Sequence, residues 1–331
     1  MKTRFFVLSL FVLAYFGEEA ISQEKAPKSE AESLFGVLFY PIEFTLIEKT
    51  KLDSNLAVAQ AEYGKNPNDP ERIIWLGRRL AYLWRYRDAI DVYSKGIALH
   101  PNYAKLYRHR GHRYITIREF DKAIADLEKA ARLIRGVPDE IEPDGAPNKY
   151  NIPTSTSHSN IWYHLGLAYY LKGDFTNALR CYLECMKFSK SNDDMLCATS
   201  DWLYMTYRRL GRTDDAKNVL EPISENMKII ENFSYHKRLL MYKGVVAPDS
   251  LLDAKNATDL DIATQGYGVG NWYFYNGQTE KAKEIFARVI KGKYWAAFGY
   301  IAAEADLKRM EKRYIKIGYV IYSPAARSNF S

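Results

Sequence analysis

The greatest concentration of chemically versatile side chains is a basic hexapeptide, RHRGHR, at residues 108–113. On a helix, Arg108 and His112 lie one turn apart on the same face, where they can bind an anion. His109 and His112 have a spacing that can share a metal ion, but no third ligand follows at a suitable distance, so no metal site is predicted. In a third interpretation, His112 lines a groove, while Arg110 and Arg113 form ion pairs with surface carboxylates.

The second candidate is the acidic stretch 138–158, which carries Glu140, Glu142 and Asp144 beside Gly145. Its oxygens suit calcium, but their spacing does not follow the twelve-residue calcium-binding loop. Opposite charge and closeness in sequence instead predict that this segment folds over the basic hexapeptide. The segment is either a lid on a binding site or a solvated connector, and both interpretations stay open.

The three cysteines, Cys181, Cys185 and Cys197, are an odd number for an oxidising compartment. Cys185 is interpreted as a small core residue. A bridge between Cys197 and either of the others is one possible state. Nothing in the sequence marks any of the three as a nucleophile, and no cofactor motif is present.

Two blocks of 34 residues, together spanning Pro70–Val137, position the basic hexapeptide. Glycine inside a helix costs about 0.5–1 kcal/mol relative to alanine, so a glycine that recurs in both blocks predicts close packing of a second helix. Small residues and large apolar residues recur with it. The pairs that lie 34 apart are Gly77 and Gly111, Leu80 and Tyr114, Ala89 and Ala123, Tyr93 and Leu127, and Gly96 and Ala130.

This order of residues resembles the tetratricopeptide repeat, a pair of antiparallel helices. The resemblance implies an all-α fold, a right-handed solenoid whose helix pairs bury one another's faces and whose ends carry capping helices. The solenoid with its caps is predicted at 52–312. Its repeats are predicted at 70–103, 104–137, 159–192, 197–230 and 263–296, with a degenerate repeat at 231–262 and the insertion at 138–158.

Several stretches, including IWLGRRLAYL and IWYHLGLAYYLKGDF, also resemble a group of exported bacterial tetratricopeptide repeat proteins that have no assigned activity. Lys2 and Arg4 precede an apolar run from Phe5 to Phe16, a layout that predicts a signal peptide at 1–22. The run is shorter than the roughly 20 residues of a spanning helix, and an uncleaved anchor is the alternative. The predicted location is therefore periplasmic or extracellular, without a membrane span after cleavage.

The segments that flank the repeats have weaker patterns. Residues 23–51 are expected to be flexible or irregular, and Leu52–Lys65 is expected to form a half-repeat that caps the array, with Asp53 and Ser54 at its start. A helix from about Ala297 to Lys312 is predicted to close the far end. The tail, 313–331, is interpreted as a strand over Tyr314–Tyr322 or as a disordered terminus.

In this family the first helix of each pair lines a concave groove, and the resemblance selects positions that look inward. These positions are rich in Arg, which binds carboxylates through a planar fork, and in Tyr, which offers rigid area and a hydroxyl. The best-known carboxylate-binding members use a Lys and Asn pair that is absent here. The predicted ligand-binding residues are Arg78, Tyr82, Arg108, His112, Asn160, Tyr163, Tyr170, Asp201, Arg208 and Asn271.

The chain carries a formal net charge of +7, which favours acidic ligands in an exported protein and makes nucleic acid an unsuitable partner. The leading hypothesis is an exported scaffold that binds a protein or an acidic peptide in its groove without catalysis. One alternative is an enzyme on a solenoid frame that uses His112 or His164 with Asp201. The other is an envelope structural protein that oligomerises through its tail.

Overall fold

The computed structural model describes residues 28–252 and 259–321, with the side chains of the last helix described as far as Glu311. Within these residues the fold is all-α apart from one short hairpin. The elements are β1 (Ala31–Glu32), β2 (Leu38–Phe39), α1 (Leu46–Lys65), α2 (Pro70–Tyr82), α3 (Tyr86–Leu99), α4 (Ala104–Thr116), α5 (Phe120–Leu133), α6 (Ser157–Lys172), α7 (Phe175–Met186), α8 (Asp193–Arg209), α9 (Thr213–Val219), α10 (Phe233–Tyr242), α11 (Asp259–Tyr275), α12 (Thr279–Val289) and α13 (Phe298–Ile321).

The predicted signal peptide, 1–22, lies outside the described residues, as do 23–27, 253–258 and 322–331. In the part of the chain that is described, no helix combines the length and the apolar character needed to cross a membrane.

The helices pair in chain order, α2 with α3, α4 with α5, α6 with α7, α8 with α9 and α11 with α12. Successive pairs stack through α3 on α4, α5 on α6 and α7 on α8, which produces a solenoid. The first helices also touch one another, α2 with α4, α4 with α6 and α6 with α8. We call this layer the inner wall. Between α9 and α11 stand α10 and a short 3₁₀ helix at Pro248–Leu251.

The recurring glycines lie where the second helix of a pair comes closest. A Cβ added at Gly111 would stand 2.7 Å from Leu127, and one at Gly166 would stand 2.9 Å from Tyr182. At Gly77 the ring of Tyr93 fills the same space. The large side chain of the second helix therefore occupies the volume that the missing Cβ leaves, which confirms the packing role predicted for these glycines.

The turns inside the helix pairs need one left-handed residue. Later repeats place Gly173, Gly211 and Gly277 there, whereas the first two repeats place Trp84 and Arg118 at φ 59° and 68°. Non-glycine residues in this region are strained by roughly 1–3 kcal/mol and persist only where their surroundings hold them. Both are buried against Trp295, whose ring lies 5.0 Å from that of Trp84 and whose carbonyl accepts a 2.8 Å hydrogen bond from Arg118.

The N-terminal segment is better defined than expected. Strands β1 and β2 form an antiparallel hairpin, and Phe39 stacks on Trp295 at 5.1 Å between centroids. Helix α1 begins at Leu46 rather than at Leu52, because Thr45 and Glu48 form a capping box that starts it six residues earlier. The prediction that Asp53 and Ser54 begin this helix was wrong.

Helix α13 packs on the last repeat, as predicted for a helix that closes the end of the array, but it also reaches α6 of the inner wall. It packs on α6 and α11 as well as on α12. Its Glu304 forms a 2.7 Å ion pair with Arg118, and its Arg309 donates to the carbonyl of Leu171 at 2.6 Å. The helix continues to Ile321, so the strand prediction for the tail was wrong over 314–321, and Tyr322 lies outside the described residues.

Candidate functional site

A cavity of about 310 Å³ remains between the inner wall and the insertion 138–158. Helices α2, α4, α6 and α8 supply most of its wall, and Phe298 at the start of α13 closes one side. We call it the inner cavity. Six of the predicted ligand-binding residues line it, namely Arg78, Tyr82, Arg108, His112, Asn160 and Tyr163.

The repeat explains why these side chains meet. Arg78 and His112 occupy the same position of α2 and α4, 34 residues apart, so stacking of the first two repeats brings both to one surface. Arg108 lies one turn before His112 on α4. Asn160 and Tyr163 come from the first turns of α6, which packs beside α4 on the inner wall.

Arg108 holds the insertion in place. Its guanidinium lies 3.0 Å from the Glu142 carboxylate, and the two side chains are only 10% and 7% exposed. Asn160 donates a further 3.1 Å hydrogen bond to Glu142. Removing either partner of such a pair leaves the other charge buried without a counter-charge, which destabilises the fold. The insertion is therefore bound to the inner wall through a charge that points into the cavity.

Other contacts of the insertion confirm that the acidic segment folds over the basic second repeat. Glu140 forms a 2.8 Å ion pair with Lys105 at the start of α4. Two arginines of α2 donate to its backbone, Arg78 to the carbonyl of Pro143 and Arg79 to that of Gly145, both at 2.8 Å.

Two guanidiniums on the cavity wall have no carboxylate partner among the described residues. Arg78 contacts a backbone carbonyl and lies 4.6 Å above the Trp75 ring. Arg113 lies 5.4 Å above the Tyr86 ring and is half-buried. Arg110, in contrast, pairs with a carboxylate as predicted, at 2.7 Å from Asp126, but the pair is not on the surface, because its side chains are only 18% and 9% exposed. The same prediction was wrong for Arg113.

Three histidines line the cavity in the neutral form. Burial first, and neighbouring arginines second, hold the pKa of His109, His112 and His164 well below the ordinary value of 6.5. The rings of His112 and His164 lie 4.3 Å apart, and His164 Nδ1 donates to the Asn160 carbonyl at 2.6 Å. In the part of the chain that the structure covers, no three potential metal ligands converge.

The remaining four predicted residues do not line the cavity. Tyr170, Asp201 and Asn271 are fully buried, and Asn271 donates to the Tyr170 hydroxyl at 2.9 Å. Asp201 forms a buried ion pair with Arg238. Arg208 donates to Asn276 at 2.8 Å. These four side chains therefore contact other parts of the array, α6 with α11, α8 with α10, and α8 with the turn after α11.

Several residues that line the inner cavity were not predicted from the sequence. Tyr235 and Glu231 come from the degenerate repeat, where the pattern is weakest, and Phe298 comes from a helix that was expected at the far end. Arg113 was a visible candidate, because it is the last residue of the basic hexapeptide, but it was predicted to pair with a carboxylate at the surface. No local spacing could have identified Phe298.

The enzymatic alternative needed His112 or His164 to work with Asp201. Asp201 is absent from the cavity wall and is held by Arg238, so the structure does not bring that set together. The cysteines are free and buried, which makes the disulfide interpretation wrong. Burial raises the pKa of Cys185 to about 11 and those of Cys181 and Cys197 to about 12, and such thiols are poor nucleophiles at neutral pH.

Comparison with known families identifies two stretches. Residues 159–192, which cover α6 and α7, match a tetratricopeptide repeat family, and residues 266–291, across α11 and α12, match a second. The bovine BBSome complex member BBS4 is 24% identical over 204 residues, 62% of this chain. This chain spans about a third of that protein's length, 32%.

Two solved structures of repeat proteins align with much of this chain. A tetratricopeptide repeat protein from Parabacteroides merdae has a TM-score of 0.47 at 15% identity, over 77% of this chain and 94% of that one. YrrB, a TPR protein described as having an unusual peptide-binding site, has a TM-score of 0.39 at 17% identity, over 76% of this chain and 97% of that one.

Proposed function

Because the chain is a tetratricopeptide repeat protein, we propose that it is an exported scaffold that holds a protein or an acidic peptide at its inner cavity without catalysing a reaction. Solenoids of this family serve protein interaction through the wall formed by their first helices. The cavity volume of about 310 Å³ is at the lower end of the range for small-ligand sites, so it accommodates only a short segment of a partner.

The observation that carries the proposal is the pair of guanidiniums, Arg78 and Arg113, that face the cavity without a carboxylate partner among the described residues. Charge-assisted hydrogen bonds to a carboxylate are stronger than those between neutral groups, and the planar guanidinium fork suits two oxygens at once. A glutamate or aspartate of a partner would supply the missing acceptor.

The position of α13 limits how such a ligand binds. An extended peptide along the whole groove would need the space in which Glu304 and Asp306 now contact Arg118 and Arg209. The proposed contact is therefore local, at the first three repeats and the insertion.

Export is supported by the sequence of residues 1–22, and N-terminal sequencing of the protein recovered from its native source tests it. A chain that begins near Gln23 supports cleavage, and a chain that retains the apolar run contradicts it.

Fluorescence anisotropy with a labelled peptide tests the binding proposal. The probe is a capped hexapeptide with one glutamate next to norleucine and otherwise Gly and Ser, and the variants are Arg78→Gln, Arg113→Gln and Arg132→Gln. The first two should weaken binding about tenfold, because each removes a charge-assisted contact. Arg132 lies on α5 with its side chain 54% exposed, so its variant serves as the control. Equal binding by all three variants contradicts the proposal.

A further inference from the structure

The inner cavity also has an acidic side. Asp144 of the insertion and Glu231, just before α10, both line it. Glu231 accepts hydrogen bonds from Thr154 and, at 2.9 Å, from Asn148, but no positive side chain of the residues that the structure describes lies within ion-pair distance. Asp144 has neither a hydrogen-bond partner nor an ion-pair partner among the described residues. Two carboxylates thus share the cavity without a positive side chain paired to either of them.

The two carboxylates oppose each other's charge. Burial raises the pKa of Asp144, and the negative charge of Glu231 raises it further, while Arg78 acts in the opposite direction. A cation bound beside them would relieve this repulsion. A purely anionic ligand would increase it, and such a clash works against the wrong ligand as effectively as a good contact favours the right one.

On the basic side of the same cavity, some arginine groups also lack partners among the described residues. Arg113 and Arg78 lack carboxylate partners, and Arg108, more than nine-tenths buried, has an Nε group without any hydrogen-bond acceptor. The cavity therefore presents unmatched groups of both signs within about 310 Å³. Few ligands of that size complement both.

We infer that the inner cavity binds a zwitterionic peptide segment, with an ammonium against Asp144 and Glu231 and a carboxylate against Arg113 and Arg78. A lysine next to a glutamate or aspartate has this chemistry. The inference rests on the proposed function and adds to it, because it requires the acidic segment to carry a positive charge beside its carboxylate.

Two probes separate this inference from the proposed function. The first is the hexapeptide with norleucine beside glutamate, and the second has lysine in place of norleucine. Norleucine matches the alkyl chain of lysine without its charge, so the ratio of the two affinities isolates the ammonium. The full chain should bind the lysine peptide about tenfold more tightly.

Asp144→Asn should abolish that preference, and it should tighten rather than weaken binding of the norleucine peptide, because it removes a negative charge that repels the glutamate. Asp214→Asn is the control, because Asp214 lies on α9 with its side chain 94% exposed, and it should retain the preference. Equal affinity of the unaltered protein for both probes, with binding still lost in Arg113→Gln, overturns the inference and leaves the proposed function standing. No binding of either probe overturns both.

Discussion

Both halves of the inner wall pair arginines with carboxylates, but only in the first half do some arginines face a cavity without a carboxylate partner among the described residues. In both halves a segment outside the repeats presents carboxylates to arginines of the wall. The insertion gives Glu142 to Arg108, and α13 gives Asp306 to Arg209 at the end of α8. In the second half the partners are only 6% and 2% exposed. In the first half the insertion leaves a cavity with two guanidiniums available.

This difference shows that an arginine-rich wall is not by itself a binding site. Arg209 ends α8 of the inner wall, yet Asp306 of α13 already pairs with it. Recognition is possible only where the chain's own acidic segments leave donors unmatched. The comparison predicts that breaking the contacts of α13 damages the fold, whereas breaking those of the insertion mainly affects the cavity.

The largest effect is expected from Glu304→Ala. It leaves the Arg118 guanidinium buried without a counter-charge, and such a loss costs about 3–5 kcal/mol of unfolding free energy. Urea denaturation measures it. Glu311→Ala on the same helix is the matched control, because the Glu311 side chain is 54% exposed, and it should change stability by less than about 0.5 kcal/mol. Similar values for the two variants would mean that α13 does not pack as described.

Acid should destabilise the cavity half through its histidines. The folded-state pKa of His109, His112 and His164 lies below 6.5, so below that pH the unfolded chain takes up protons that the folded chain does not. Stability is then complete above pH 6.5 and falls as pH decreases, by at most about 1.4 kcal/mol per pH unit for each histidine.

Urea denaturation at pH 7.5 and pH 5.5 measures this loss, and His164→Gln should reduce it by about a third relative to the unaltered protein. Unchanged stability between the two pH values would contradict the neutral, buried state of the three imidazoles.

The contact between the two helices of a pair should not tolerate even one added methyl group. Gly77→Ala forces the Tyr93 ring out of place and should cost about 1–3 kcal/mol. Gly64→Ala in α1 meets no atom within 4 Å and should stabilise the protein by about 0.5–1 kcal/mol. Thermal and urea unfolding of both variants measure the difference. The same sign for both would contradict the close packing described at Gly77.

A smaller loss of stability than for Glu304→Ala is expected from Glu142→Ala. Arg108 then keeps its contact with His109 Nδ1 at 2.9 Å and faces a cavity, so the loss should be about 1–2 kcal/mol, below that of Glu304→Ala. The released insertion should become sensitive to limited proteolysis within 138–158. A loss equal to that of Glu304→Ala would make the insertion a structural plug like α13.

The parts of the fold that were predictable from sequence are those set by local spacing. The 34-residue recurrence of Gly77 and Gly111 identified the helix pairs, and the acidic composition of 138–158 indicated its docking on a basic neighbour a few tens of residues away. The contact of α13 with the second repeat was not predictable, because it joins Arg118 and Glu304, 186 residues apart. The sequence pattern of α13 does not show whether the helix packs only on the last repeat or also on the inner wall.

The binding residues were predicted only in part, for the same reason. Side chains of the first three repeats were assigned to a groove from their repeat positions, and Arg78, Arg108 and His112 do line the cavity. Tyr170 and Asn271 follow the same rule, yet they are buried because distant elements pack over them. Which inward positions stay accessible depends on tertiary contacts that no repeat position encodes.

Hydrogen exchange of the full chain with and without the lysine–glutamate hexapeptide tests the central claim most directly. The division of the inner wall predicts that the peptide protects amides of α4 and of 138–158 and leaves those of 298–311 unchanged. Protection along α8 and α11 together with faster exchange in 298–311 would contradict it, since the peptide would then have displaced α13 from the wall.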